Sequence, residues 1–193
     1  TSAQRRARMV GSGQAIPTRD EEEIGLPARK FLRGNPCHFV VLVDDIESSR
    51  RPQLPMVFAR YRKALDTMLQ PDEQARAAVH FFANMLEAYY FADSTATNNA
   101  LRRQILCQDY AGDVEEIPHP KNDLKQSYAG FDERLHGKAI VETLDLDHVL
   151  ARPGTCAFLR SLFGWCVETL PDGCIYDPYL RTRYCLAEGQ RNE

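Results

Sequence analysis

The feature that most constrains this chain is the run Cys37-His38-Phe39-Val40-Val41-Leu42-Val43, which stops abruptly at Asp44-Asp45. Its end is continuously apolar and rich in β-branched residues. Such a run predicts a strand over 37–43 buried on both faces, the usual setting of a strand in the middle of a parallel sheet. A loop over 48–55 carries Arg50, Arg51 and two prolines, and then Met56, Val57, Tyr61, Ala64, Leu65, Met68 and Leu69 recur at helical spacing. A second strand is expected over 77–82, directly before a helical segment at 84–90. This alternation predicts an α/β core whose sheet is at least partly parallel.

Upstream, Asp20-Glu21-Glu22-Glu23 places acid before Ile24, Ala28, Phe31 and Leu32, as the positive end of a helix dipole prefers. That helix is expected to become regular near Leu26, with Pro27 in its first turn, and to end at Gly34-Asn35-Pro36. The basic stretch from Arg5 to Gln14 is left unassigned. Downstream, 94–106 reads as helix, 108–120 as a polar loop, and 120–150 as two short helices. The segment 155–170 reads as the most apolar helix, with Thr155 as its N-cap. The tail from Pro171 reads as a hairpin or an extended arm, and no long-period repeat is visible.

At 193 residues, 44% hydrophobic and 26% charged, the chain is long enough to bury a core and falls outside the disordered and fibrous classes. The balance of 24 Lys plus Arg against 27 Asp plus Glu, 24 − 27 = −3, gives no global basic field for non-specific nucleic-acid binding. The longest apolar stretch, 39–43, is far below the roughly 20 residues that span a bilayer, and no charged-then-apolar leader opens the chain. A cytoplasmic protein without membrane contact is expected. The six cysteines form no C-x-x-C pair and are expected to be mostly buried, reduced thiols. Because the chain opens on Thr1, further residues are expected upstream.

Asp44-Asp45-Ile46-Glu47 follows the first strand, where open α/β sheets bind their ligands. Hard oxygen donors at that place suit Mg²⁺ or Mn²⁺. The plainer alternative is that Asp44 caps the next turn while Asp45 and Glu47 are solvated. In Met85-Leu86-Glu87-Ala88-Tyr89-Tyr90-Phe91-Ala92-Asp93, Glu87 interrupts an apolar segment and must be functional or structurally locked, for instance by Arg60 or Arg62. Arg50, Arg51, Lys121 and Lys125 are candidate phosphate contacts, each with an ordinary surface role as the alternative. His136 and Lys138 stand in a similar setting, and His38, His80 and His148 read as core or rim histidines. The common NTPase, serine hydrolase, zinc protease and dinucleotide fingerprints are absent.

The order Val43-Asp44-Asp45, Leu86-Glu87-Ala88-Tyr89-Tyr90-Phe91-Ala92-Asp93, His119-Pro120-Lys121, His136-Gly137-Lys138 and Cys156-Ala157-Phe158 resembles the bacterial domain-of-unknown-function family 4276, a Toprim-like group. The resemblance runs from about Phe31 to Leu170. It implies a Toprim-like, mostly parallel sheet flanked by helices over 1–93, with an α-helical extension over 94–193. It also implies carboxylates that bind Mg²⁺ for phosphodiester chemistry, and a setting in anti-phage defence or toxin-like systems beside an ATPase partner. A Toprim site pairs an early Glu-Gly with a later Asp-x-Asp, whereas this chain offers Asp45-x-Glu47 and no early Glu-Gly with room before Asp44. Either the first strand and helix precede Thr1 or the site is incomplete.

The leading expectation is a Mg²⁺- or Mn²⁺-dependent nuclease or nuclease-derived subunit acting on nucleic acid. Asp44, Asp45 and Glu47 serve as metal ligands, Glu87 and Glu47 as catalytic candidates, and Arg50, Arg51, Lys121 and Lys125 as phosphate contacts. The alternative is a catalytically degenerate binding subunit that assembles with an ATPase or as a homo-oligomer. A small-molecule phosphotransferase or phosphatase using the same carboxylates is a third reading.

Overall fold

The computed structural model describes residues 17–102 and 108–169, and the readings of the basic N-terminal stretch, the end of the 94–106 helix and the tail lie outside them. The fold is mixed α/β and mostly helical, with one parallel pair of strands among the described residues. The described residues divide into two compact units, 17–42 with 53–79, and 43–52 with 80–102 and 108–169.

In the first unit, a π-helical turn (Glu21–Gly25) leads into α1 (Leu26–Arg33), with Pro27 in the first turn as its fixed φ allows. The turn and α1 pack on α2 (Leu54–Met68), burying Ala28, Leu32, Val57, Ala64 and Leu65. Gly25 is required there, because a Cβ would lie 2.4 Å from the Ala64 carbonyl oxygen. The short α3 (Pro71–Gln74) follows. Arg76 then donates to the carbonyls of Asn35 and His38 at 3.1 and 3.0 Å, and Val40 N–H donates to Arg76 O at 2.9 Å. These bonds set the register in which β1 (Val40–Ile46) and β2 (Ala77–Ala83) begin.

The strands correct two expectations. β1 runs on through Asp44 and Asp45 to Ile46 instead of stopping at Val43, and it is not buried on both faces, since Val43 is exposed and only Ile46 is fully buried. The buried strand is β2, in which every residue but Phe82 is inaccessible. A two-stranded sheet leaves β1 uncovered however apolar its sequence.

In the second unit, β2 is followed by a 3-10 turn (Leu86–Ala92), where a helical segment was expected over 84–90, and then by α4 (Ser94–Ala100). The stretch read as a polar loop over 108–120 contains a buried 3-10 turn (Val114–Glu116) with Val114 and Glu115 wholly inaccessible. Three helices, not two, follow: α5 (Pro120–Ser127), α6 (Glu133–Thr143) and α7 (Leu146–Ala151). They share a core with α8 (Ala157–Thr169), built on Tyr89, Val114, Leu124, Ile140, Val149, Leu150 and Leu159. Asp93, itself buried, caps α4 by accepting from Ala96 N–H, and its other oxygen accepts from Asp145 N–H, both at 2.9 Å.

Thr155 is not the cap of α8 that the sequence suggested. Its hydroxyl accepts from Val114 N–H at 2.9 Å and donates to Asp113 Oδ1 at 3.1 Å. Glu115 stands at the helix start instead, with Oε1 accepting from Phe158 N–H at 2.8 Å and from the Tyr89 hydroxyl at 3.0 Å. The described free thiols are Cys37, which is exposed, Cys166, which is half-buried, and Cys156, which is buried. No helix among the described residues is long and apolar enough to cross a membrane.

Candidate functional site: carboxylates at the end of β1

The turn after β2 positions Glu87 through an unusual backbone. Asn84 and Met85 have φ of 58° and 99°, a region that side-chain-bearing residues enter at a cost. Asn84 is held there from both sides. Its Oδ1 accepts from Ser48 N–H at 2.7 Å and from the Ser48 hydroxyl at 2.9 Å, and its Nδ2 donates to Glu115 O at 2.8 Å. Asn84 N–H also donates to Ile46 O at 3.0 Å, which ties the two strand ends together. The chain leaving β2 is thereby turned sharply, and Glu87 emerges half-buried from a turn that otherwise buries Ala88, Tyr89, Tyr90, Phe91 and Ala92.

At this strand end Asp45 feels the charge of Glu87. Desolvation, then the negative charge of Glu87, then that of Asp44, raise the Asp45 carboxyl above its ordinary value, although its surface is largely open to solvent. Asp44 is half-buried, and its Oδ1 accepts from Asp45 N–H at 3.0 Å. Glu47 is exposed, and its carbonyl begins the next turn by accepting from Arg50 N–H at 2.8 Å.

The charge of Glu87 also reaches the helical layer. Lys121, on α5, pairs with Glu133, at the start of α6, at 2.5 Å. The hydrogen bond from Lys121 lowers the Glu133 carboxyl, against some desolvation, and the charges of Lys121 and Lys125 together with a hydrogen-bonding contact to Glu87 act in the same direction. Lys121 is raised, mainly by its hydrogen bond to Glu133, with Glu87 contributing. The buried Tyr90 hydroxyl is pushed up to about 12 by desolvation and by the charges of Glu87 and Glu133. It packs over Gly137 of α6, where a Cβ would lie 3.3 Å away. Lys121 and Glu133 therefore form an ion pair, and the charge of Glu87 raises Asp45, Tyr90 and Lys121.

Of the expected cations, Arg51 bonds the Glu116 carboxylate and the Glu115 carbonyl, and Lys121 bonds Glu133. Arg50 and Lys125 are exposed. Arg60 and Arg62, considered as locks for Glu87, pair with Asp20 at 3.6 Å and Asp66 at 2.5 Å. Sequence reasoning missed Asn84, Glu133 and Tyr90. An asparagine directly after a buried strand was a readable sign, because Asn tolerates positive φ. Glu133 reads in the sequence only as acid in the first turn of a helix.

A separate cleft of about 330 Å³ is lined by Asp93, Thr95, Asn99, Asp109, Thr143, Asp145 and His148. There His148 is exposed and its Nε2 lies 3.2 Å from Asp109 Oδ2. His38 stacks on Phe31 with ring centroids 4.3 Å apart. His80 is buried as expected, but its Nε2 meets no hydrogen-bond partner among the described residues.

Comparison with protein-family models, with curated proteins and with solved structures found no match to this chain. The class its fold defines is a mixed α/β, mostly helical protein with a small parallel sheet of two strands among the described residues.

Proposed function

We propose that this strand end is a Mg²⁺- or Mn²⁺-dependent phosphodiester-processing site, belonging to a Toprim-like nuclease or a subunit derived from one. The observation that carries the reading is that the charge of Glu87, an acid from a different element beside the strained turn at Asn84 and Met85, reaches the Asp45 carboxyl and raises it. Like charges held together are stabilised by a cation.

In this reading the ion is held in one particular mode. No group of three or more His, Cys, Asp or Glu among the described residues is arranged to enclose a metal. Mg²⁺, however, is commonly held by one or two carboxylates, with water and substrate phosphate completing its shell. Asp45 and Glu87 supply the two, with Asp44 adjacent. When bound, such an ion activates water and stabilises the leaving oxygen. The exposed Arg50 and Lys125 are the cations open to a phosphate backbone, whereas Arg51 holds Glu116. Resemblance to family 4276 extends the proposal to nucleic acid as substrate and to an anti-phage or toxin-like setting.

The test is cleavage of plasmid DNA and RNA with Mg²⁺ or Mn²⁺, together with metal-dependent thermal stabilisation. Activity lost in Asp45→Asn and Glu87→Gln supports the proposal. Equal activity in these variants and wild type rejects it.

A second reading has its own observation. Arg51 and Lys121, two of the four cations expected at phosphate, are paired with Glu116 and Glu133 of the same chain. That arrangement suits a binding subunit of an ATPase complex or a self-assembling protein whose acidic core no longer turns over. Metal-independent melting with intact assembly favours it.

A further inference from the structure

Two polar side chains of the second unit are buried with no hydrogen-bond partner among the described residues, and neither belongs to the carboxylates at the end of β1. His80, on β2, is 1% exposed, and its Nε2 is one such atom. Ser161, on α8, is also 1% exposed, and its Oγ is another. A serine within a helix can satisfy its hydroxyl on the carbonyl four residues earlier, and Ser161 does not. Trp165 relates the two. It stands one turn beyond Ser161 on the same face of α8, and its indole packs against the His80 ring with centroids 6.0 Å apart.

A buried hydroxyl and a buried imidazole nitrogen that both lack a partner are costly, and native interiors satisfy such groups with ordered water. The chemistry of the pair limits what can join them. Burial lowers His80 to about 4, so near neutral pH its ring is uncharged, and Nε2 donates or accepts according to the tautomer. A charged ligand would find no opposite charge on either group and would stand uncompensated in the interior. The inaccessibility of both residues also excludes a hydrolytic His–Ser pair, whose hydroxyl must reach a substrate. What remains is a ligand that is small, neutral, and both donor and acceptor. We propose that an internal water molecule bridges His80 Nε2 and Ser161 Oγ and so joins β2 to α8. Water suits either tautomer of His80, because it donates to a bare Nε2 and accepts from a protonated one.

The experiment is NMR of the full chain with ¹⁵N-labelled histidine, reading cross-peaks from water to the His80 ring in wild type, Ser161→Ala and Ser161→Cys. Urea unfolding followed by the emission of Trp165, the single tryptophan, checks that each variant is folded. The expected result is a cross-peak to a long-lived water in wild type, lost in Ser161→Ala and weakened in Ser161→Cys, with the His80 ring-nitrogen resonances shifted in both. Absence of the cross-peak in wild type overturns the proposal. A cross-peak that persists unchanged in folded Ser161→Ala assigns the water to other partners and overturns the bridge. A crystal structure of the wild type supplies a readout that needs no variant. A density peak within hydrogen-bond distance of both atoms supports the bridge, and a direct contact between Ser161 Oγ and His80 Nε2 overturns it.

Discussion

The fully buried Glu115 carboxylate accepts the backbone N–H of Phe158 at 2.8 Å, in the first turn of α8. A carboxylate at a helix N-terminus satisfies an orphan donor and meets the positive end of the dipole. The same oxygen accepts from Tyr89, so one acid holds the turn after β2, the turn over Val114–Glu116 and α8 together. Glu115→Ala strands two buried donors and is expected to destabilise the protein by about 3 kcal/mol or more, read from urea unfolding. Tyr89→Phe removes one bond and is expected to cost about 1 kcal/mol.

Asn84 is expected to be the most sensitive polar residue at the strand ends. Asn84→Gly keeps the positive φ but loses the ties to Ser48 and Glu115, at about 2 kcal/mol. Asn84→Ala adds backbone strain and is expected to cost about 1 kcal/mol more than the glycine variant. An alanine variant as stable as the glycine one would show that φ at this residue is not constrained. Both variants are expected to loosen the approach of Glu87 to Asp45.

His80 predicts a pH dependence with a definite sign. It is buried against Trp165, with ring centroids 6.0 Å apart, and desolvation lowers it to about 4 from an ordinary 6.5. The unfolded chain therefore binds the proton more readily, so the His80 contribution is fully present above pH 6.5 and is lost as the pH falls towards 4. Across that window the loss is at most about 3 kcal/mol. His80→Phe is expected to flatten this part of the stability profile, measured by denaturant midpoints between pH 4 and 7.5. An unchanged slope in the variant removes His80 as its cause.

Gly25→Ala tests the first unit independently of the site. Its Cβ would lie 2.4 Å from the Ala64 carbonyl and 2.6 Å from Met68 Cγ, and the carbonyl cannot rotate away as a side chain can. A loss of about 3 kcal/mol is expected, from forced separation of the π-helical turn and α2. A calorimetric melting curve within error of wild type would refute the close approach.

The elements legible in the sequence were those whose local pattern and final surroundings agree. The helix read from Met56 to Leu69 is α2, which buries Val57, Ala64 and Leu65 although Met56 is exposed, and the run at 77–82 is β2, buried at all but Phe82. β1 carries the stronger apolar pattern yet is largely uncovered, since burial depends on what packs against a strand and not on its composition. Glu115 was hidden in a stretch that reads as polar. Its partners Tyr89 and Phe158 stand 26 and 43 residues away, a separation no local pattern reports.

At the candidate site the division is similar. Asp45 and Glu87 were named from residue type and position, and the charge of Glu87 reaches the Asp45 carboxyl. Glu47 has no described tie to either, and Arg51 and Lys121 are drawn into ion pairs with Glu116 and Glu133. The sequence by itself determined the order of strands and helices and the acidic character of the strand end, because periodicity and side-chain charge are local properties. Only the tertiary structure decided which acids face one another and which cations are already spent, because electrostatic pairing acts through space between residues far apart in the chain.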